Sequence, residues 1–414
     1  MYKTLKRHLG KIFVLQYLHK CFLMCREYVL LHSTFINYSK TKRYLNKKEN
    51  KDAIRTIKDY LLKSKKENFR KIVFIINGDL QEIGGVETRL LKTLKYLETQ
   101  NFFPVIIAKD NSFEPLLSKY PFIKFSFKNC LTSKFFINII KKIKPEYIEL
   151  QIKNISSEIL VHFDKKQVND LKKITKVGIL FHFKQYFVLE RQLESFDNIL
   201  SCGTDWLKKY KKLQHKIYKI PNYIIPQTNS WSYSGQTKIL FISRLNEQDK
   251  IQHIYNLISL YKDYTFNIDI AGSGEQSFID KIKKFAQNNN VIINFIGKIN
   301  TLEYLNKNLN NILFVAGVGQ VIFEATSFNI PSLVLTDHKE ESYSNFLTKD
   351  NVQRITAYNC VLNKLKLSEN NIGDFVADIP NNLEKYKVKD FIEKNYSIDK
   401  IMNVYMDACK IKRI

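Results

Sequence analysis

From Lys71 onward the chain alternates short apolar runs with longer stretches of helical spacing. KIVFII (71–76) reads as a buried strand, NGDLQEIGG as a glycine loop, and VETRLLKTLKYLE (86–98) as an amphipathic helix. FPVIIA (103–108) and FIKFSF (122–127) follow as strands, then the helix FFINIIKKI, which ends before Lys144-Pro145. EYIELQ (146–151) and KVGILFHF (176–183) are the next two strands. Strands that alternate with helices predict a parallel, doubly wound sheet, because a parallel neighbour can be reached only by a crossover.

A second series begins after the Pro/Ser/Asn/Gly-rich stretch PNYIIPQTNSWSYSGQ (221–236). Its strands are KILFISRL (238–245), FNIDIAGSG (266–274), VIINFIG (291–297), NILFVAG (311–317) and PSLVLT (331–336), again separated by helical segments. The pattern predicts an α/β protein with two Rossmann-like domains, residues 71–228 and 229–388. Residues 389–414 carry a closing helix, KDFIEKNYSIDKIMNVYMDACK, and residues 1–70 form a basic helical extension.

The length of 414 residues agrees with two cores, and 44% apolar residues can fill them. The six cysteines, at 21, 25, 130, 202, 360 and 409, form no CxxC pair and no regular spacing with histidine. Neither a disulfide framework nor a metal site is indicated, and a reducing cytoplasm is expected.

Charge changes the picture more. Of the net +26, residues 1–70 hold 18 Lys/Arg against 5 Asp/Glu, residues 71–230 hold 26 against 15, and residues 231–414 hold 22 against 20. The first two segments are expected to face something anionic, such as a bilayer surface. Nucleic acid would also satisfy the charge, but no RNA-binding module signature is visible. The first thirty residues mix apolar runs with Lys11, His19, Lys20, Arg26 and Glu27, so neither a membrane span nor a secretory signal is expected there. They suit an interfacial basic helix, or a helix packed on the first domain.

The candidate chemistry lies in the second series. In NILFVAGVGQVIFEATSFNIPSLVL (311–335) a strand runs through Gly317 and Gly319 into a helix carrying Glu324. Glycines at a helix N-terminus can hold a diphosphate, because unpaired backbone N–H groups and the positive end of the helix dipole converge there. A carboxylate one turn inside can take sugar hydroxyls. Two more loops belong at strand ends, Arg244-Leu245 with Lys250, and Gly272-Ser273-Gly274. Arg244 and Lys250 would neutralise the phosphates. Such a strand-to-helix turn also occurs in parallel α/β domains without any ligand.

Taken in order, these motifs resemble those of a family 4 glycosyltransferase of the GT-B fold. The carriers are Gly84-Gly85-Val86-Glu87, His182, Pro221-Asn222, Arg244-Leu245, Gly272-x-Gly274, Phe295 to Gly297, and Glu324-Ala325 before Pro331. The resemblance runs from about residue 71 to the C-terminus. It implies transfer of a sugar, with retention and without an obligatory cofactor or metal, from a nucleotide sugar to an acceptor held by the first domain. Glu324, Arg244, Lys250 and His182 would be catalytic, with Glu324 on the ribose hydroxyls. Gly84, Gly85, Gly272, Gly274, Gly297, Lys298, Gly317, Gly319, Gln320 and Val321 would contact substrate. The expected acceptor is a bacterial surface glycan, lipid-linked or polymeric, and the expected place the inner face of the cell membrane.

Two positions depart from the family pattern. Its first glutamate, eight residues before the second, is Ala316, and its phosphate lysine falls on Asp249, with Lys250 next to it. They keep open a non-catalytic scaffold or chaperone of the same shape. A nucleotide-sugar epimerase would share the fold as well. A nicotinamide enzyme fits less well, because neither glycine loop has the G-x-G-x-x-G geometry.

Overall fold

The computed structural model describes Asp59 and residues 69–77, 85–108, 120–124, 134–152, 165–182, 190–202, 205–243, 245, 248–335, 345–360, 375 and 382–412. Apart from Asp59, Phe69 and Arg70, the basic extension expected over residues 1–70 lies outside them. Among the described residues no helix is long and apolar enough to cross a membrane.

The first domain contains β1 (Arg70–Asn77), α1 (Gly85–Thr99), β2 (Phe102–Ala108), β3 (Phe122–Lys124), α2 (Lys134–Ile143), β4 (Tyr147–Ile152) and α3 (Lys165–Lys172). It continues with β5 (Lys176–Phe181), α4 (Glu190–Leu193), β6 (Asn198–Ser201) and β7 (Ile217–Lys219). Among the described residues its seven strands are all parallel, in the order β3-β2-β1-β4-β5-β6-β7. Central strands covered by helices on both faces need no polar alternation, and β2 is buried at every residue.

The second domain contains β8 (Lys238–Ile242), α5 (Gln248–Tyr261), β9 (Asn267–Ala271), α6 (Gln276–Asn288), β10 (Ile292–Gly297), α7 (Thr301–Asn308) and β11 (Ile312–Gly317). Then come α8 (Gln320–Ser327), β12 (Ser332–Val334), β13 (Asn345–Phe346) and α9 (Val352–Thr356). The six strands run in the order β10-β9-β8-β11-β12-β13, and β13 pairs antiparallel with β12. The expected parallel sheet therefore ends in one reversed strand. Central β11 is buried throughout, whereas the edge strand β10 is partly exposed, with Ile292 63% exposed.

The expected C-terminal helix is two helices, α10 (Lys389–Tyr396) and α11 (Ile398–Cys409). Ser397 separates them in extended conformation, at φ −62° and ψ 150°. There it bridges the linker: Ile398 N–H donates to the Ile224 carbonyl at 2.7 Å, and Ile224 N–H to the Tyr396 carbonyl at 2.9 Å. The chain thus crosses between the domains twice, along two segments joined by a β-bridge between Ile224 and Ser397. Beyond this crossing, Ile401, Met402, Tyr405, Met406, Ala408 and Cys409 of α11 join Ile72, Phe74, Leu90 and Leu94 in the core of the first domain.

Candidate functional site

The strand order sets the C-terminal ends of β10, β9, β8 and β11 side by side. Gly297, Gly272, Ser243 and Gly317 consequently form a row along the sheet edge. Main-chain bonds tie it together: Gly272 N–H donates to the Gly297 carbonyl at 2.8 Å, Ser243 N–H to Ala271 at 3.0 Å, and Leu245 N–H to Ser273 at 3.0 Å. The loops approach so closely that a Cβ at Gly272 would stand 1.8 Å from the Ser243 carbonyl oxygen, and one at Gly274 2.2 Å from that of Leu245. Gly272, at φ +149°, also adopts a backbone that suits glycine.

The loop after β11 turns into α8 at Gly319, whose φ of +66° and ψ of −128° again favour glycine. Its N–H donates to the Cys360 carbonyl at 3.1 Å. Gln320 and Val321 open the helix and are partly buried, and Lys298 at the far end of the row is exposed. Ala316, where the family pattern has its first glutamate, is fully buried in the apolar core between β8 and β12. Arg244 and the side chain of Lys250 lie outside the described residues, and the Lys250 backbone sits in the first turn of α5.

Glu324, one turn into α8, faces the first domain. Its Oε1 accepts from Lys92 Nζ of α1 at 2.7 Å and from Gln320 Nε2 at 3.3 Å. The two charged side chains are 8% and 6% exposed. The same Gln320 amide donates to the carbonyl of Tyr223 at 3.1 Å. The Tyr223 hydroxyl returns to α1, donating to the Arg89 carbonyl at 3.0 Å and meeting Thr93 Oγ1 at 2.7 Å. A closed polar circuit therefore joins α1, the linker and α8. The proline–asparagine pair that the sequence singled out belongs to it: Arg89 Nη1 donates to the Pro221 carbonyl at 3.0 Å, and Asn222 N–H to Asn359 Oδ1 at 3.0 Å.

In the first domain, Gly84 lies outside the described residues, and Gly85 begins α1. His182 follows β5 at the sheet's C-terminal edge. Its Nε2 lies 3.4 Å from Gln151 Oε1, and its Nδ1 3.6 Å from Cys202 Sγ. Behind it, the Gln151 amide donates to Glu149 Oε1 at 2.6 Å. Glu149 is buried, and loss of hydration pushes its pKa up to about 7, against the opposing effects of Gln151, Tyr405 and Arg89. Burial also pushes the Cys202 thiol up, with Arg89 again opposing.

Sequence reasoning assigned Glu324 and His182 to a site but missed Arg89, Lys92, Thr93, Tyr223, Glu149 and Gln151. In α1 the apolar positions Leu90, Leu94 and Leu97 face the sheet, and Arg89, Lys92 and Thr93 are buried as well, against the second domain and linker. A polar stripe on a helix reads as solvated unless its partner is known. The i, i+3, i+4 spacing of those three residues was the available signal.

No protein-family model and no curated protein sequence matches the chain. Solved structures do. A glycosyltransferase from Rickettsia africae superimposes with TM-score 0.59 at 16% identity, covering 83% of this chain and 100% of that one. Alr3699/HepE of Anabaena, in complex with UDP and glucose, does so with TM-score 0.55 at 11% identity, covering 82% and 99%. A UDP-GlcNAc 2-epimerase from Neisseria meningitidis, bound to UDP-GlcNAc, gives 0.51 at 15% identity, covering 82% and 99%. Two facing parallel-sheet domains, a doubly crossed linker and a row of glycine loops at the strand ends make the fold of this chain GT-B.

Proposed function

We propose that the chain is a glycosyltransferase that moves a sugar from a nucleoside diphosphate donor to a bacterial surface glycan. The observation that carries this reading is the row of glycine loops at the C-terminal edge of the second sheet, with Glu324 one turn inside α8 beside it. Ligands of open α/β sheets bind at that edge. Solved proteins of the same fold hold UDP and glucose, or UDP-GlcNAc. The donor diphosphate sits over the Gly272 and Gly319 loops, where Arg244 and Lys250 neutralise it, and Glu324 takes the ribose hydroxyls. His182 lines the cleft near the donor sugar.

Reaction breaks the bond between the anomeric carbon and the diphosphate oxygen and forms one to an acceptor hydroxyl, whose proton leaves with the diphosphate. Placing the acceptor on the same face as the departing diphosphate gives retention. Fixed charges and aimed N–H groups suffice for the leaving group, so neither a metal nor a covalent nucleophile is required. The protein works at the inner face of the cell membrane, where a basic extension meets anionic lipid.

A panel of uridine, guanosine, adenosine and cytidine diphosphates, read by thermal shift, tests the reading. One base should raise the melting temperature, since a ligand bound to the folded state stabilises it. Glu324→Gln should shrink that rise, because the ribose contact is lost while the phosphate contacts remain, and should abolish the transfer activity. A second reading, a scaffold that holds a partner transferase, draws on Ala316 in the core and on the burial of Glu324. It predicts no rise with any nucleotide.

A further inference from the structure

The carboxylate proposed to take the ribose is not held by its own domain alone. Glu324 Oε1 is occupied twice, by Lys92 Nζ from α1 and by Gln320 Nε2 from its own helix. Among the described residues Oε2 accepts no hydrogen bond. A carboxylate clamped through one oxygen presents the other at a fixed angle.

We infer that Lys92 is a positioning residue for the donor: through its pair with Glu324, the first domain sets the orientation and charge balance of the group that reads the ribose. The inference rests on the proposed nucleotide-sugar function and deepens it. Three observations carry it. The pair is buried on both sides, so water cannot substitute for either partner. Lys92 sits in α1 between two further anchors to the interdomain linker, Arg89 on the Pro221 carbonyl and Thr93 on the Tyr223 hydroxyl. Its position relative to α8 is thereby fixed rather than left to a flexible side chain. Finally, the Gln320 amide, which donates both to Glu324 and to the Tyr223 carbonyl, closes the circuit, so a shift of the linker is felt at the carboxylate.

If Lys92 acts this way, it stays paired while donor is bound. Removing it lets the carboxylate turn or swing away, and the hydroxyl contact is lost although the phosphate contacts remain. A domain strut would behave differently, because its loss would lower stability without touching recognition of the sugar ring.

The test uses the full-length protein and compares binding of the nucleoside diphosphate selected by the thermal-shift panel with binding of its 2′-deoxy analogue. Wild type should favour the ribonucleotide by about tenfold or more, the value of one hydrogen bond to a charged acceptor. Lys92→Met should cut this preference to within about twofold, as Glu324→Gln does, while Lys92→Arg should retain most of it. Should K92M not fold, Lys92→Leu, which also removes the donor, is read the same way. Undiminished preference in K92M, with or without a lower melting temperature, would make Lys92 a strut and overturn the inference. Wild type that binds both nucleotides equally would overturn it too, leaving nucleotide binding intact. Wild type that binds neither would overturn the glycosyltransferase reading itself, and this inference with it.

Discussion

Glu149 shows how one buried side chain ties stability to pH. Its pKa is about 7 in the folded protein against an ordinary 4.5, with loss of hydration as the leading cause. The folded state therefore holds a proton that the unfolded chain releases, and stability falls as pH rises between those two values. Glu149→Gln should remove this dependence. Its free energy of unfolding, measured in urea, should match wild type near pH 5 and exceed it at pH 8 by on the order of 3 kcal/mol. A variant with the same pH dependence as wild type would mean that Glu149 finds compensation in the fold. Nothing in the local pattern marks the effect, since E-L-Q in a strand reads as simple alternation. Only the docking of α11, with Tyr405 and Cys409 facing the carboxyl, makes its surroundings dry.

At the scale of elements, the strands at the centre of each sheet were legible because burial on both faces leaves continuous apolar runs. Three short strands were not. β6, β7 and β13 have four, three and two residues and lack the longer apolar runs in which the equally short β3 and β12 lie. The break at Ser397 was missed because helical spacing continues across it, and there the backbone bridges instead to Ile224 of the linker. The close approach of the glycine loops has a reason that only the fold shows: the loop after β9 passes against the loop after β8. Gly272→Ala would place a Cβ 1.8 Å from the Ser243 carbonyl, a backbone atom that cannot yield without moving its strand end. The variant should lose about 1–3 kcal/mol in urea unfolding and should bind the donor nucleotide more weakly. Normal stability and binding would show that the loops can separate at no cost.

For the whole molecule, the charge asymmetry matters most. The excess of positive charge lies in residues 1–230, and the second domain is nearly neutral, as expected if lipid is met by one end and a nucleotide by local geometry at the other. Deleting residues 1–70 should shift the protein from membrane to soluble fractions, because screened attraction of this kind adds about 1 kcal/mol per basic residue near the surface. Equal pelleting of the truncated and full-length proteins at moderate salt would show that membrane contact lies elsewhere. The same scale explains the circuit through Lys92, Tyr223, Gln320 and Glu324, which no single domain contains.

The sequence alone determined the alternation of strands and helices, the two-domain division and the glycine loops, since each follows from local periodicity or from backbone conformations that few residues adopt. Tertiary structure decided the partners of polar side chains. Whether Lys92 meets water or Glu324, and whether Glu149 stays hydrated, depends on segments 232 and 256 positions away along the chain. Hydrogen bonds and desolvation act over a few ångströms of space, and local sequence carries no record of which distant residues fill it.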